Sequence, residues 1–442
     1  MAKRHFIATL FLLFLLTLVL VSCGRQLDPP IITTAATTTP TVSDGVTSAA
    51  ITTTEAVVTT EDLFLNGTPG LIFESNNDGT AKVAGISDNA AKVITVPRTT
   101  PDGDRVIEIK FNAFAGNTAI ETLRLPNTVY KISTGAFSLC SSLKSVFFSE
   151  GLEEIGSAAF QNCSSLESIT LPKSFRTLGT QAFGGCVGLS YLSVSANNLT
   201  YKAEGNCLIT KDTNTLVLGC RGSKIPKTVK AIEGFAFYEM GLSELLMPDS
   251  VVSVGNQAFA KNTAMKDVVL SESLKSLGDS AFSGCTAIES MYLPASLETL
   301  GVTPFRGCTA MKRLTVSESN TKYYAKDLCL VEKETARLVQ GFVGSTVPQG
   351  VRVIGEYAFA FLPIYEIAIP DGVETIERYA LAYCDALQTV TLPKSLTEIA
   401  PDAFRNSLVL KTVNYGGNQQ RFDALTADVV LPDGVTVNCK ES

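Results

Sequence analysis

The sequence predicts a repeat solenoid. Parallel β-strands stack on one face, short strands, turns or short helical segments lie on the other, and two β-hairpin inserts interrupt the stack. Three observations predict it. An Ala-Phe pair returns at a near-constant interval of 23 residues, with Phe at 114, 137, 160, 183, 237, 259, 282, 305, 359 and 404. Leu381 holds the same register, and Pro304 replaces the alanine once. Within each interval apolar residues alternate and then stop at a proline, as in Leu166-x-x-Ile169-x-Leu171-Pro172, the pattern of a short strand with a hard end. Equivalent residues also recur at 122, as from Phe137 to Phe259 and from Phe237 to Phe359. A fixed period of this length means one small unit stacked on copies of itself.

Residues 1–22 resemble an export signal: Lys3 and Arg4 precede an almost unbroken apolar run from Phe6 to Val21. Leu20-Val21-Ser22-Cys23 then matches a bacterial lipobox, which makes Cys23 the expected lipidation site. A diacylglyceryl group plus an N-acyl chain gives stable membrane attachment. Residues 23–62 are Thr-rich, with Pro29, Pro30 and Pro40 and no aromatic, the composition of a disordered tether. Residues 63–105 lack the Phe repeat but carry strand-like runs such as Leu71-Ile72-Phe73 and Val93-Ile94-Thr95-Val96. They are expected to cap the first rung.

Residues 106–412 hold the repeats. Glycines at 156, 179, 255, 278, 301 and 355 stand four residues before the Phe position. A turn with positive φ or a close backbone approach would each demand glycine there. Two extra segments, about 195–225 and 317–347, interrupt the repeat at equivalent places. In the first, Cys207–Thr210 and Thr215–Leu218 flank the polar Lys211–Asn214, which predicts a hairpin. Residues 413–442 are expected to cap the far end, with a last strand at Val429–Leu431 before Pro432.

The units resemble the leucine-rich repeats of the BspA-like family, on the pattern L-x-x-φ-x-φ-P-x-x-φ-x-x-I-G-x-x-A-F-x-x-C over roughly residues 106–415. The resemblance implies a curved, right-handed solenoid and a surface-exposed binding or adhesion role. It names no ligand.

Composition narrows the function. Formal charge is −7, and removal of Lys3 and Arg4 makes the chain more acidic still, which with no basic cluster argues against nucleic acid. The single histidine, His5, lies in the signal segment, so Ser-His-Asp, Cys-His and His-zinc chemistry is absent from the exported chain. No phosphate loop, metal-ligand spacing or cofactor motif occurs, and the carboxylates scatter over variable positions. We expect neither an enzyme nor a bound metal or cofactor. Tryptophan is absent, which leaves only tyrosine for stacking against a sugar.

Cys140, Cys163, Cys186, Cys285, Cys308 and Cys384 share one column, three residues after the Phe position. A metal or redox site competes there with a buried ladder of small side chains. Asn117, Met240, Asn262, Leu362 and Ser407 fill the same column elsewhere, which favours the ladder. Side chains stacked in one direction do not face each other, so disulfides are not expected. Cys207, Cys220, Cys329 and Cys439 suggest no pairing.

Partner contact is expected on the strand face, where outward residues form columns. One column runs Arg124, Phe147, Thr170, Ser193, Leu246, Val269, Tyr292, Thr315, Ala368, Thr391, Asn414. Leu246, Val269 and Tyr292 make an apolar stripe with Glu244 and Asp267 beside it, and Phe147 is a second outward aromatic. Such a stripe with an acidic border suits an extracellular protein or other cell-surface ligand. Coverage by an insert, or a mere preference for β-forming side chains, would explain it equally. The leading expectation is a lipid-anchored, surface-exposed bacterial protein that binds a macromolecule. Glycan capture and a passive envelope spacer are the alternatives.

Overall fold

The structure, a computed structural model, describes residue 64 and residues 66–440. The signal segment, Cys23 and the Thr-rich tether lie outside the described residues. The chain divides into two units, 1–57 and 58–442, and all described residues belong to the second.

Each repeat makes one turn of a β-solenoid. The alternating segment forms a strand on a first face, where Thr122–Arg124, Ser145–Phe147, Ser168–Leu171 and Tyr191–Val194 follow one another in one parallel sheet. The proline ends that strand. A two-residue strand then lies on a second face, where Lys131–Ile132, Glu154–Ile155 and Thr177–Leu178 pair in parallel. The Ala-Phe segment forms no helix; it turns back along an edge between the two faces. Both ladders start early. Val93–Thr95 pairs with Thr122–Arg124, and Thr80–Ile86 pairs with Arg105–Ile109. Leu71–Ser75 folds antiparallel onto Thr80–Ile86 and covers that end of the second face.

The phenylalanines stack on their counterparts. Phe114, Phe137, Phe160 and Phe183 succeed one another at 4.9, 5.3 and 5.3 Å between ring centroids, nearly coplanar. A second run joins Phe237, Phe259, Phe282 and Phe305. Each ring is buried, so a column of aromatic area of the kind that dominates core energetics runs along the turn edge.

The turn edge settles what the glycines do. The glycine four before the Phe carries no positive φ. It is there because rungs touch: a Cβ on Gly179 would stand 2.2 Å from the Ser157 amide nitrogen. Left-handed backbone instead falls two residues before and two after the Phe, as at Gln181 (φ 56°) and Gly185 (φ 75°).

Each insert contains the expected hairpin and adds one strand before it, making a three-stranded meander. Tyr201–Glu204, Cys207–Thr210 and Thr215–Gly219 pair antiparallel in sequence order. The third strand then joins Ala231–Ile232 in parallel and restarts the second face. The extra strand arises because Gly205 and Asn206 both take positive φ, the two-residue turn that suits a hairpin. The second insert repeats this with Tyr323–Lys326, Cys329–Glu332 and Arg337–Gln340.

At the C-terminal end, Asn418 caps a short helix, Gln419–Leu425, by accepting from the Arg421 amide. Phe422 of that helix packs on Tyr415 at 5.5 Å. The last strand is Thr436–Cys439, parallel to Thr412–Tyr415. The expected strand at Val429–Leu431 does not form: Pro432 denies the ladder a donor, and the turn at Gly434 (φ 77°) brings the following residues into register instead.

Candidate functional site

On the first face, side chains alternate between core and solvent. Leu245 and Met247 are buried, and Leu246 between them is 72 % exposed. Val269 and Tyr292 are exposed in the same way, at 48 % and 42 %. No insert covers the stripe. Glu244 stands opposite Asp267 and Leu246 opposite Val269, in register on two parallel strands, Glu244–Leu246 and Asp267–Val269. Tyr292 sits on Ser290–Leu293, which pairs onward with Arg313–Val316. No ladder joins the Val269 strand to the Tyr292 strand, although the two remain neighbours. The stripe is therefore one registered pair plus a tyrosine across a seam in the sheet.

Glu244 and Asp267 place two like charges in one cross-strand position, which is unfavourable by itself. Both are exposed, and neither has an ion-pair partner among the described residues. Elsewhere on this face acids and bases alternate. Lys92 and Lys144 each lie 2.9 Å from Glu121, and their hydrogen bonds hold its carboxyl down to about 2. The acidic pair beside the stripe lacks such compensation, so a basic partner would relieve it.

Phe147 is not brought to the stripe. It lies in the five-stranded sheet before the first insert, 55 % exposed, with the Arg124 guanidinium 5.5 Å from its ring centre. Pairing to the next rung shrinks there to Ser145 with Ser168. A hollow of about 260 Å³ opens between Phe147 and Thr170.

Other exposed aromatics belong to neither column singled out for function. Tyr191 is 58 % and Tyr365 69 % exposed. On the turn edge Phe361 stacks on Tyr383 at 4.6 Å, Tyr357 stacks on Tyr379 at 4.9 Å, and the Arg306 guanidinium lies 4.7 Å from the centre of Phe361. These four rings occupy the left-handed positions flanking the Phe column, where the other rungs carry mostly Gly, Asn, Gln, Ser or Ala, with Leu139, Phe235, Glu239, Lys261 and Thr303 as exceptions. That substitution pattern was visible in the sequence.

The cysteine column is buried and unbridged. Its thiols do more than fill space. Cys140, Cys163 and Cys186 donate to the carbonyls of Phe114, Phe137 and Phe160 at 3.1, 3.2 and 3.1 Å. Cys285, Cys308 and Cys384 repeat the contact. Asn262 and Ser407 make it with the Phe237 and Leu381 carbonyls, at 2.8 and 2.7 Å. The column is a donor position. Met240 and Leu362 fall on the first rung after each insert, where no Phe carbonyl stands one repeat behind. Burial pushes the Cys140 and Cys285 thiols up to about 12, so they are poor nucleophiles. Among the described residues no group of His, Cys, Asp or Glu is arranged to hold a metal ion. No helix among them is long and apolar enough to cross a membrane.

A solenoid of this kind is a stacked surface suited to interaction. No curated protein matches the chain in sequence. Solved structures do resemble it. A leucine rich cell surface protein from Faecalibacterium prausnitzii is 20 % identical, over 82 % of this chain and 98 % of that one, with a TM-score of 0.33. The pneumococcal vaccine antigen PcpA is 16 % identical over 85 % and 98 %, with a TM-score of 0.42. A leucine-rich repeat protein from Eubacterium ventriosum is 19 % identical over 85 % and 92 %, with a TM-score of 0.42. The model of the BspA type leucine rich repeat region matches in six copies across residues 103–212, 219–327 and 341–425, more than half of the sequence. The chain belongs to the BspA type leucine-rich repeat family.

Proposed function

We propose that the protein is a lipid-anchored bacterial surface protein that binds an extracellular protein, or another cell-surface macromolecule, through the first face of its solenoid. The observation that carries this reading is the exposed stripe of Leu246, Val269 and Tyr292 beside the uncompensated Glu244–Asp267 pair. Most other outward side chains of the strands on that face are Ser or Thr. An apolar centre with a charged rim is the usual anatomy of a protein contact, and tyrosine is frequent among residues that dominate binding energy. The acidic border favours a partner with a basic patch. Anchoring rests on the lipobox ending at Cys23.

Extracellular protein and glycan arrays probed with the chain lacking residues 1–22 test the reading. Capture of a protein that falls about tenfold or more in a Tyr292→Ala/Val269→Ser variant is the expected result, since loss of two central contacts costs over 1 kcal/mol. Equal capture by both proteins would remove the stripe as the site. Silence on both arrays would favour a spacer. For the anchor, Cys23→Ser should release the protein from the membrane fraction of its host; unchanged fractionation would exclude lipidation at Cys23.

A further inference from the structure

The two inserts are copies 122 residues apart, so each serves as a control for the other. The second copy holds a guanidinium–carboxylate pair beside its insert. Arg337 reaches across Gly355 to Glu377: its Nε lies 3.1 and 3.0 Å from the two carboxylate oxygens, and its Nη2 lies 2.6 Å from one of them. The guanidinium passes so close to the glycine that a Cβ there would stand 2.8 Å from the Arg337 Cζ. Glu377 also accepts from the Glu356 amide at 2.7 Å. Arginine with carboxylate in this forked geometry is among the stronger polar contacts.

In the first copy the residues at these three positions are Thr215, Glu233 and Gly255. The base is gone. The acid has moved one rung back, onto the glycine that the arginine crossed, and no side chain stands where Glu377 would be. A cleft of about 500 Å³ opens there, a size typical of ligand sites. Glu233, Gly255, Val217, Phe235 and Gly184 line it. The second copy has Arg306 at the position of Gly184, and that side chain lies across the seam on Phe361. The Glu233 carboxylate has no ion-pair or hydrogen-bond partner among the described residues. The first copy thus keeps half of an ion pair and the room for the other half.

We propose that this cleft binds an alkylguanidinium, with Glu233 as its counter-ion. The duplication identifies the occupant, because the second copy supplies the same chemical group to the same seam from its own chain. A guanidinium presents two parallel N–H groups to one carboxylate, which an ammonium does not. Val217 and Phe235 are half-buried on the cleft wall. They offer apolar surface to the alkyl stem and an aromatic ring to the flat cation. The site is separate from the stripe on the first face and does not depend on it.

Ligand-observed NMR titration of the full chain tests this. The probes are agmatine and acetyl-arginine-amide at millimolar concentration, with acetyl-citrulline-amide as the neutral isostere. The citrulline amide should bind about tenfold more weakly than the arginine amide, because a hydrogen bond to a charged group is lost. Tighter binding of agmatine would support a free amine as the ligand; tighter binding of the blocked arginine would support an arginine within a polypeptide. Glu233→Gln, an exposed substitution, should reduce the arginine amide to the level of the citrulline amide. Thr215→Arg, which installs the arginine of the second copy, should likewise remove binding by filling the cleft from within. Thermal melts matching the parent show that both variants keep the fold. Equal binding of the arginine and citrulline amides would overturn the proposal. So would the absence of binding by either guanidinium probe, or guanidinium binding that survives both substitutions.

Discussion

In six rungs a thiol three residues after the Phe position donates to the phenylalanine carbonyl one rung back, and this contact tests the column chemistry. Cys163→Ser keeps a donor, as Ser407 does naturally, and should change stability little. Cys163→Ala removes one of two donors to the Phe137 carbonyl, which keeps the Cys140 amide at 3.2 Å, and should cost about 0.5–1.5 kcal/mol. Urea denaturation of the two variants checks the difference; equal losses would mean that the thiol only fills space. The same burial sets an alkaline limit. Cys140, Cys207, Cys285 and Cys329 are raised from 9.0 to about 12, chiefly by desolvation. A raised acid binds its proton more tightly in the folded state, so this contribution is complete below pH 9 and is lost as pH rises toward 12. Melting temperature should accordingly fall across that window, and less steeply in a Cys140→Ser variant. At pH 8 iodoacetamide should label Cys439, the one half-exposed cysteine among the described residues, well before the column. The buried ladder was legible because Asn, Ser, Met and Leu share its column. Its donor role was not, because a sequence does not show which carbonyl faces a side chain one rung away.

Within a single rung, the strand, the proline stop and the glycine follow from the repeat pattern, since each recurs often enough to separate rule from accident. The inserts were harder. Tyr201–Glu204 is too polar to stand out as a strand, and it forms because the Gly205-Asn206 turn folds it onto Cys207–Thr210. Gly219 then acquires a specific role: a Cβ there would lie 1.8 Å from the Phe237 ring, and one on Gly341 would lie 2.1 Å from Phe359. Gly219→Ala must displace a buried ring and should destabilise by about 1–3 kcal/mol, with Gly341→Ala behaving alike. Thermal melts check both; a neutral effect would show that the ring has room to move. The apolar stripe was visible in its column, but the seam between Val269 and Tyr292 was not, because strand pairing depends on rung spacing rather than on side-chain type.

The buried core falls into two clusters that meet at the second insert. One runs from Val83 to Phe342, the other from Cys329 to Phe422. Repeat stability is approximately a sum of rungs and their interfaces, so a weakened interface divides the cooperative unit. Phe404→Ala should lower the urea midpoint for residues beyond about 345 and leave exchange protection in residues 106–190 unchanged, as hydrogen exchange would report. A uniform loss along the chain would show that the clusters unfold as one. The two inserts share their strand pattern but differ at bridging positions, where Phe342 replaces Cys220 and Arg306 replaces Gly184. The distinction comes from which side chains bridge them.

The interrupted ladders also bear on how the molecule carries force. Bonds between rungs run along the solenoid axis, so traction between its ends loads them in series. Unbroken rungs share that load over many bonds, whereas the first insert offers few direct links across its turn edge, among them Gly185 to Tyr238. Under tension such a place yields before its neighbours, and the solenoid gains a compliant joint at its first insert.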